Sequence, residues 1–129
     1  MLSKLIFSLF FLPSNIKKWQ VIFWLNTSLL LFLTLSPPID SGVSLAHADK
    51  IFHFIGFGAF SFFLFLGYPR LVPKLNILVS LILGLVVEIA QNHIPHRGFD
   101  YLDLVADLLG SLVAVIFLVI LKRFLPPNH

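Results

Sequence analysis

Residues 104–121 read LVADLLGSLVAVIFLVIL, and this stretch decides the fold. Its eighteen residues contain one carboxylate and no cation. As a helix rising roughly 1.5 Å per residue it would measure about 27 Å, close to the ~30 Å hydrocarbon core of a bilayer. It ends at Lys122-Arg123, followed by Pro126-Pro127. Three more apolar runs precede it. Trp19 to Leu35 is closed by Ser36-Pro37-Pro38, Ile51 to Tyr68 is closed by Pro69, and Leu75 to Ala90 opens after Pro73. Prolines fall between the runs, as helix boundaries require. An open chain can cross lipid only as a helix, because every backbone group must be paired internally. The expected fold is therefore all-α: a polytopic membrane protein of four transmembrane helices, arranged as two antiparallel hairpins. Trp19, Trp24, Tyr68 and Tyr101 lie near the ends of the runs, where interfacial anchors belong.

Composition supports the same class. Hydrophobic residues make up 58% of the 129-residue chain and charged residues only 12%. A soluble domain of this length buries only about two-thirds of its unfolded surface and could not hide so much apolar area. There is no cysteine, which excludes disulfides, thiolate catalysis and Cys-type zinc sites. The net charge of +3 is spread along the chain without a basic stripe, so nucleic acid is not an expected partner.

The N-terminal segment Leu2 to Leu12 is apolar but too short to span. It could be a signal peptide, but Pro13-Ser14-Asn15 offers no small-residue cleavage site, and a retained interfacial helix is favoured. Lys and Arg set the orientation. With four spans, one side carries Lys4, Lys17, Lys18, Arg70, Lys74, Lys122 and Arg123, and the other only Lys50 and Arg97. By the positive-inside rule both termini are cytoplasmic (N-in, C-in).

All six carboxylates (Asp40, Asp49, Glu88, Asp100, Asp103 and Asp107) fall on the opposite, outer side. Three pieces of sequence there are candidates for chemistry. In Asp49-Lys50-x-x-His53, Asp49 and His53 are four apart and share a helix face. The bland reading is a carboxylate at a helix N-terminus beside an interfacial His. In Glu88-x-x-Gln91, an acid follows an apolar run at the C-terminal end of its helix, where the dipole is unfavourable. It must be paired, protonated or facing water, and the bland reading is an ion pair with Lys50 or Arg97. In the stretch from Arg97 to Gly110, the residues Asp103, Asp107 and Gly110 lie on one helical face. Asp103 can cap the last helix, whereas Asp107 is a turn deeper and capping does not explain it. Gly56, Gly58, Gly84 and Gly110 read as close-packing positions.

Together these pieces form a polar cluster of Asp49, Lys50, His53, Glu88, Gln91, Arg97, Asp103 and Asp107, supplied by helices two to four. The first helix contributes only anchoring. One His with several carboxylates is also a plausible ligand set for a divalent metal, although the spacing matches no recognised metal motif, and no cofactor is expected.

These residues carry a resemblance. Asp49-Lys50-x-x-His53-Phe54, then Glu88-x-x-Gln91, then Arg97-x-x-Asp100-x-x-Asp103-x-x-x-Asp107-x-x-Gly110 resemble the VanZ-like family, whose motifs read D-K-x-x-H-F, E-x-x-Q, and R followed by D-x-x-x-N-x-x-G. Asp107 stands where the family pattern has Asn. The resemblance runs from about Trp19 to Arg123. It divides the chain into an N-terminal apolar segment 1–15 outside it, a four-helix membrane domain 16–125 and a tail 126–129. It implies a multi-pass protein of the bacterial inner membrane. The family is named for a protein of glycopeptide-resistance clusters associated with teicoplanin resistance, and resistance itself does not transfer with the name.

Three functions compete. A binding protein of the cell envelope would use the outer polar cluster on a membrane-lipid headgroup or cell-wall precursor, with Arg97, His53 and Lys50 meeting its anionic groups. A lipid-linked hydrolase or transferase would use Glu88 or Asp107 as acid or base with His53. A small transporter subunit would use the acids as an ion path and would have to be a homo-oligomer.

Overall fold

The computed structural model describes residues 1–38 and 47–125; Asp40 and the tail 126–129 lie outside the described residues. The described chain is helical throughout its ordered elements: α1 (Leu2–Phe11), a single 3-10 turn (Pro13–Asn15), α2 (Ile16–Leu35), α3 (Ala48–Gly67), α4 (Pro73–Gln91) and α5 (Tyr101–Phe124). Among the described residues, four segments are long and apolar enough to cross a membrane: Pro13–Leu35, Ala48–Gly67, Pro73–Gln91 and Tyr101–Phe124.

Local chemistry sets the boundaries. α1 stops before Pro13, and the Asn15 side chain donates from Nδ2 to the carbonyls of Ser8 and Leu9, at 2.9 and 3.0 Å, satisfying the end of the helix. Its ten residues reach only about half of a hydrocarbon core. Pro73 opens α4 at its first turn, where a missing N–H is harmless. Lys122 and Arg123 close α5 and complement its dipole. Sequence reading makes Asp103 the cap of this last helix, but the cap is Asp100, whose carboxylate accepts from Leu102 N at 2.8 Å. Asp103 sits one turn inside and is buried.

The helices form two antiparallel hairpins. Gln20, near the start of α2, donates to Gly67 O at the end of α3, and Glu88, near the end of α4, accepts from Asp100 N at the start of α5, with Ser80 and Ser111 bonded further along the second pair. The most extensive packing joins the hairpins: α3 and α5 run parallel and touch along most of their length. Their crossing is made of glycine. A Cβ on Gly110 would collide with Phe54 O, and one on Gly58 would lie 3.3 Å from Gly110 O. Backbones meet here directly, as in other membrane helix pairs with small residues at the contact.

The interior is inverted relative to a soluble protein. Of the eleven largest fully buried side chains among the described residues, eight are polar: His53, Ser61, Asn76, Ser80, Glu88, Gln91, Asp107 and Ser111. Leu25, Phe32, Phe52, Val86 and Ile116 are exposed. Lipid tails are as apolar as leucine, so burying leucine gives no drive for helices to associate; small and polar residues supply it. On α4 a stripe spaced by four, Asn76, Ser80, Gly84 and Glu88, faces α3 and α5. Ser80 and Ser111 share a hydrogen bond, Ser111 donates to Phe57 O at 3.3 Å, and Asn76 donates to Ser61 O at 3.0 Å. Trp19, expected as an interfacial anchor, is buried between the rings of Phe10 and Phe63, where it fastens α1 to the bundle. Trp24 donates to Tyr68 OH at 3.0 Å across the first hairpin.

The glycine crossing gives a direct test. Gly110→Val should lower the thermal midpoint of the detergent-purified protein by the equivalent of about 1–3 kcal/mol, the usual range for overpacking. Gly98→Ala, whose Cβ would meet nothing within 4 Å, should leave it unchanged. Equal midpoints for Gly110→Val and wild type would show that the helices do not touch there.

Candidate functional site

Two helix N-termini and two helix C-termini share one end of the bundle, where α3 and α5 begin and α2 and α4 finish. The parallel pairing of α3 with α5 places two positive dipole ends side by side, a setting that favours carboxylates. His53, one turn into α3, and Asp107, two turns into α5, are both buried and bonded Nδ1 to Oδ1 at 2.8 Å. An ionised carboxylate only accepts, so Nδ1 carries the proton toward Asp107, and in the neutral ring the second nitrogen, Nε2, keeps its lone pair. That nitrogen has no hydrogen-bond partner among the described residues. It faces Glu88 Oε1 at 3.8 Å and Asp103 Oδ2 at 3.9 Å, both beyond hydrogen-bond range. An amide at position 107 could accept the same bond through its oxygen but could never carry a charge; Asp107 puts a buried ionisable group there.

Gly84 makes room for this contact. A Cβ there would come within 2.5 Å of Asp107 Oδ2. Gly84 and Gly110 thus hold the Asp107 carboxylate from two sides, one by yielding to the side chain and the other by letting α5 approach α3.

Glu88 does not pair with Lys50 or Arg97, the partners sequence reading offers it. Its Oε2 accepts the backbone N–H of Asp100 at 2.9 Å. The acid ends its own helix unfavourably but lies at the N-terminal end of α5, which offsets that cost. Lys50 instead donates to Asp100 Oδ2 at 2.6 Å and Asp103 Oδ1 at 3.1 Å. Arg97 donates from Nε to Ser36 O at 3.0 Å, and its Nη1 lies 4.0 Å from Asp49 Oδ1. Gln91 donates to Thr34 O at 2.8 Å. The first spanning helix is therefore not a mere anchor: its last carbonyls, which no helical N–H can satisfy, hold Gln91 and Arg97 in place.

All eight expected residues thus lie at this end. His53, Asp107, Asp103, Glu88 and Lys50 form one connected group, with Gln91 and Arg97 tied to α2 at its edge and Asp49 largely exposed at the mouth. Asp100, which sequence reading placed in the motif but not in the cluster, belongs to it through Lys50 and Glu88. The Lys50 ammonium, followed by the Leu102 N–H, holds the Asp100 carboxyl below the usual aspartate range. Ligand atoms of Asp49, His53 and Asp103 lie within 4.8 Å of one another, a set able to hold a metal ion.

A family model described as VanZ/LLP1 matches residues 2–122. The chain belongs to the VanZ/LLP1 family. The matched range takes in α1 as well as the four spanning helices, so it is wider than the motif-bearing stretch. No match was found among curated proteins or among solved structures. Within this VanZ/LLP1 chain the three motifs have distinct geometric jobs: D-K-x-x-H supplies the buried imidazole and the cation of the cluster, E-x-x-Q bonds to α5 and α2, and the Asp103 to Gly110 stretch supplies the carboxylates and the glycine that brings them in.

Because the folded Asp100 carboxyl titrates below its unfolded value, its bond to Lys50 stabilises the fold above the ordinary aspartate pKa of about 3.9 and fades as pH falls below it. Asp100→Asn should therefore unfold at a lower temperature than wild type at pH 7, and the gap should close on acidification below about pH 4. A gap that persists or widens at low pH would contradict this pairing.

Proposed function

We propose that this VanZ/LLP1 protein is a binding protein of the bacterial inner membrane whose polar end faces the extracytoplasmic side. The basic end, with Lys17, Lys18, Arg70, Lys74, Lys122 and Arg123 all exposed, then faces the cytoplasm with both termini, in line with the positive-inside rule. The ligand is a lipid headgroup or a cell-wall-linked precursor that approaches along the membrane surface. The observation that carries this reading is the built character of the cluster. Five carboxylates and three basic side chains are fixed against one another at the level where four helices end, with Asp49, Lys50, Asp100 and Arg97 partly open to the outside. Buried charged groups in membrane spans are expensive, and such groups commonly mark functional paths and sites.

Lys50 and Arg97 are already engaged by carboxylates and carbonyls, so a headgroup phosphate would have to compete for them. Their bonds to exposed partners, Asp100 and Asp49, are the ones open to exchange. His53 is enclosed and serves from behind.

The Asp107–His53 pair favours a second reading. Nδ1–H bonded to a carboxylate with Nε2 free is the arrangement of a general base, and Glu88 beside it is a candidate acid. In that case the protein is a lipid-linked hydrolase or transferase. A third, the transporter subunit, has less behind it, because the acids gather at one end of the bundle.

Native mass spectrometry of the detergent-purified protein with added phosphatidylglycerol, phosphatidylcholine or a polyprenyl diphosphate tests the first reading. Wild type should retain one of the two anionic lipids in preference to phosphatidylcholine. Arg97→Ala should lose that preference while still inserting and accumulating in membranes. Equal retention of all three lipids would refute headgroup binding. Cleavage of the diphosphate by wild type but not by His53→Gln would move the assignment to the enzyme.

A further inference from the structure

We propose that His53 Nε2, Asp103 Oδ2 and the Asp49 carboxylate form a binding site for one divalent cation, hard Mn²⁺ or borderline Zn²⁺, with Glu88 beside it. The His53 nitrogen is the first reason. It is 2% exposed, has no hydrogen-bond partner among the described residues, and points at two carboxylate oxygens 3.8 and 3.9 Å away. Those gaps are too long for hydrogen bonds and close to the span of one ion. Bonds of about 2.0–2.2 Å set opposed ligands up to roughly 4.2 Å apart. Glu88 Oε1 is likewise buried and unpartnered.

The second reason is how the ligands are held. A metal-bound imidazole almost always donates its other N–H to a carboxylate, which fixes its tautomer and ring orientation. Asp107 does this at 2.8 Å. Asp103 is divided in the same way: Lys50 takes Oδ1, and Oδ2 is left for the gap. Asp49 closes the outer side, its ligand atom lying within 4.8 Å of those of His53 and Asp103.

The third is charge. Five carboxylates meet two permanent cations in this cluster, so full ionisation would leave an excess of three anionic charges at the edge of a low-dielectric layer. A divalent ion removes most of it. One imidazole with carboxylates suits Mn²⁺ or Zn²⁺ better than a soft ion, which would seek thiolate or thioether ligands.

The inference rests on this geometry and not on the headgroup reading, and its test uses no added lipid. Full-length protein in detergent, stripped with chelator and desalted, is titrated with Mn²⁺ and followed by electron paramagnetic resonance. Wild type should bind one Mn²⁺ per chain, show nitrogen coupling in the pulsed spectrum, and release the ion to Zn²⁺. His53→Gln and Asp103→Asn should weaken binding at least ~10-fold, and Asp107→Asn by about 10–100-fold, the usual effect of losing a ligand's supporting carboxylate. Lys122→Gln, at the other end of the bundle, should bind as wild type does. Should the site variants fail to fold by circular dichroism, the wild-type nitrogen coupling decides alone. No saturable binding of either ion, or Mn²⁺ bound without nitrogen coupling, would overturn the proposal.

Discussion

The structure depends on one buried contact, the hydrogen bond between His53 and Asp107 across α3 and α5. Neither group tolerates lipid alone. An unpaired carboxylate at this depth costs several kcal/mol, and an unpaired imidazole N–H a smaller but real amount. Their pairing requires the two helices to run parallel and to touch backbone to backbone, which is what Gly110 against Phe54 O and Gly58 against Gly110 O allow. Gly84 then leaves space for the far oxygen of Asp107. Once that contact is set, Lys50 lies over Asp100 and Asp103, and Glu88 reaches the backbone N–H of Asp100, the N-cap of the last helix. The loop between α4 and α5 is held at its middle and its end by the same network, because Arg97 is held by α2 and Asp100 by α3 and α4.

The same constraint organises the rest of the bundle. Asn76, Ser80, Ser61 and Ser111 continue the polar contact surface away from the site toward the basic end. Small hydroxyls and amides allow close approach and add hydrogen bonds that lipid cannot supply. The apolar clusters lie mainly elsewhere: Phe23, Phe57, Phe60 and Leu64 between α2 and α3, and Trp19, Leu66 and Leu118 under α1. Packing of aromatic rings therefore secures the first hairpin and the N-terminal helix, while polar contacts secure the second hairpin to the first.

Much of this was legible in the sequence, for physical reasons. Spans are legible because the thickness of a bilayer fixes the length of an apolar run, and all four apolar runs correspond to helices. His53, Glu88 and Asp107 stand out because a titratable group inside such a run demands an explanation. Partners were less legible. Lys50 could have met Glu88, but the parallel setting of α3 and α5 gives it Asp100 and Asp103 instead, and nothing in the linear spacing encodes which of two acids a neighbouring helix presents. The part played by α2 was invisible, since it acts through the carbonyls of Thr34 and Ser36, which every residue possesses. The Asn76–Ser80–Gly84–Glu88 stripe had a readable signal in its spacing by four. That signal is masked because serine and asparagine in an apolar run look like dilution and not like an interface. Trp19 shows the converse: its position near a helix end suggested the membrane surface, yet α1 folds back and covers it.

A site built on a buried pair should be energetically coupled through that pair. The most direct measurement is a double-mutant cycle on reversible unfolding in detergent, with His53→Gln, Asp107→Asn and the double variant. Residues in contact couple by about 0.5–3 kcal/mol, whereas distant sites add to within about 0.5 kcal/mol. A coupling of at least ~1 kcal/mol is predicted for His53 with Asp107, and additivity for His53 with Lys122. Additive effects of His53→Gln and Asp107→Asn would contradict the account at its centre.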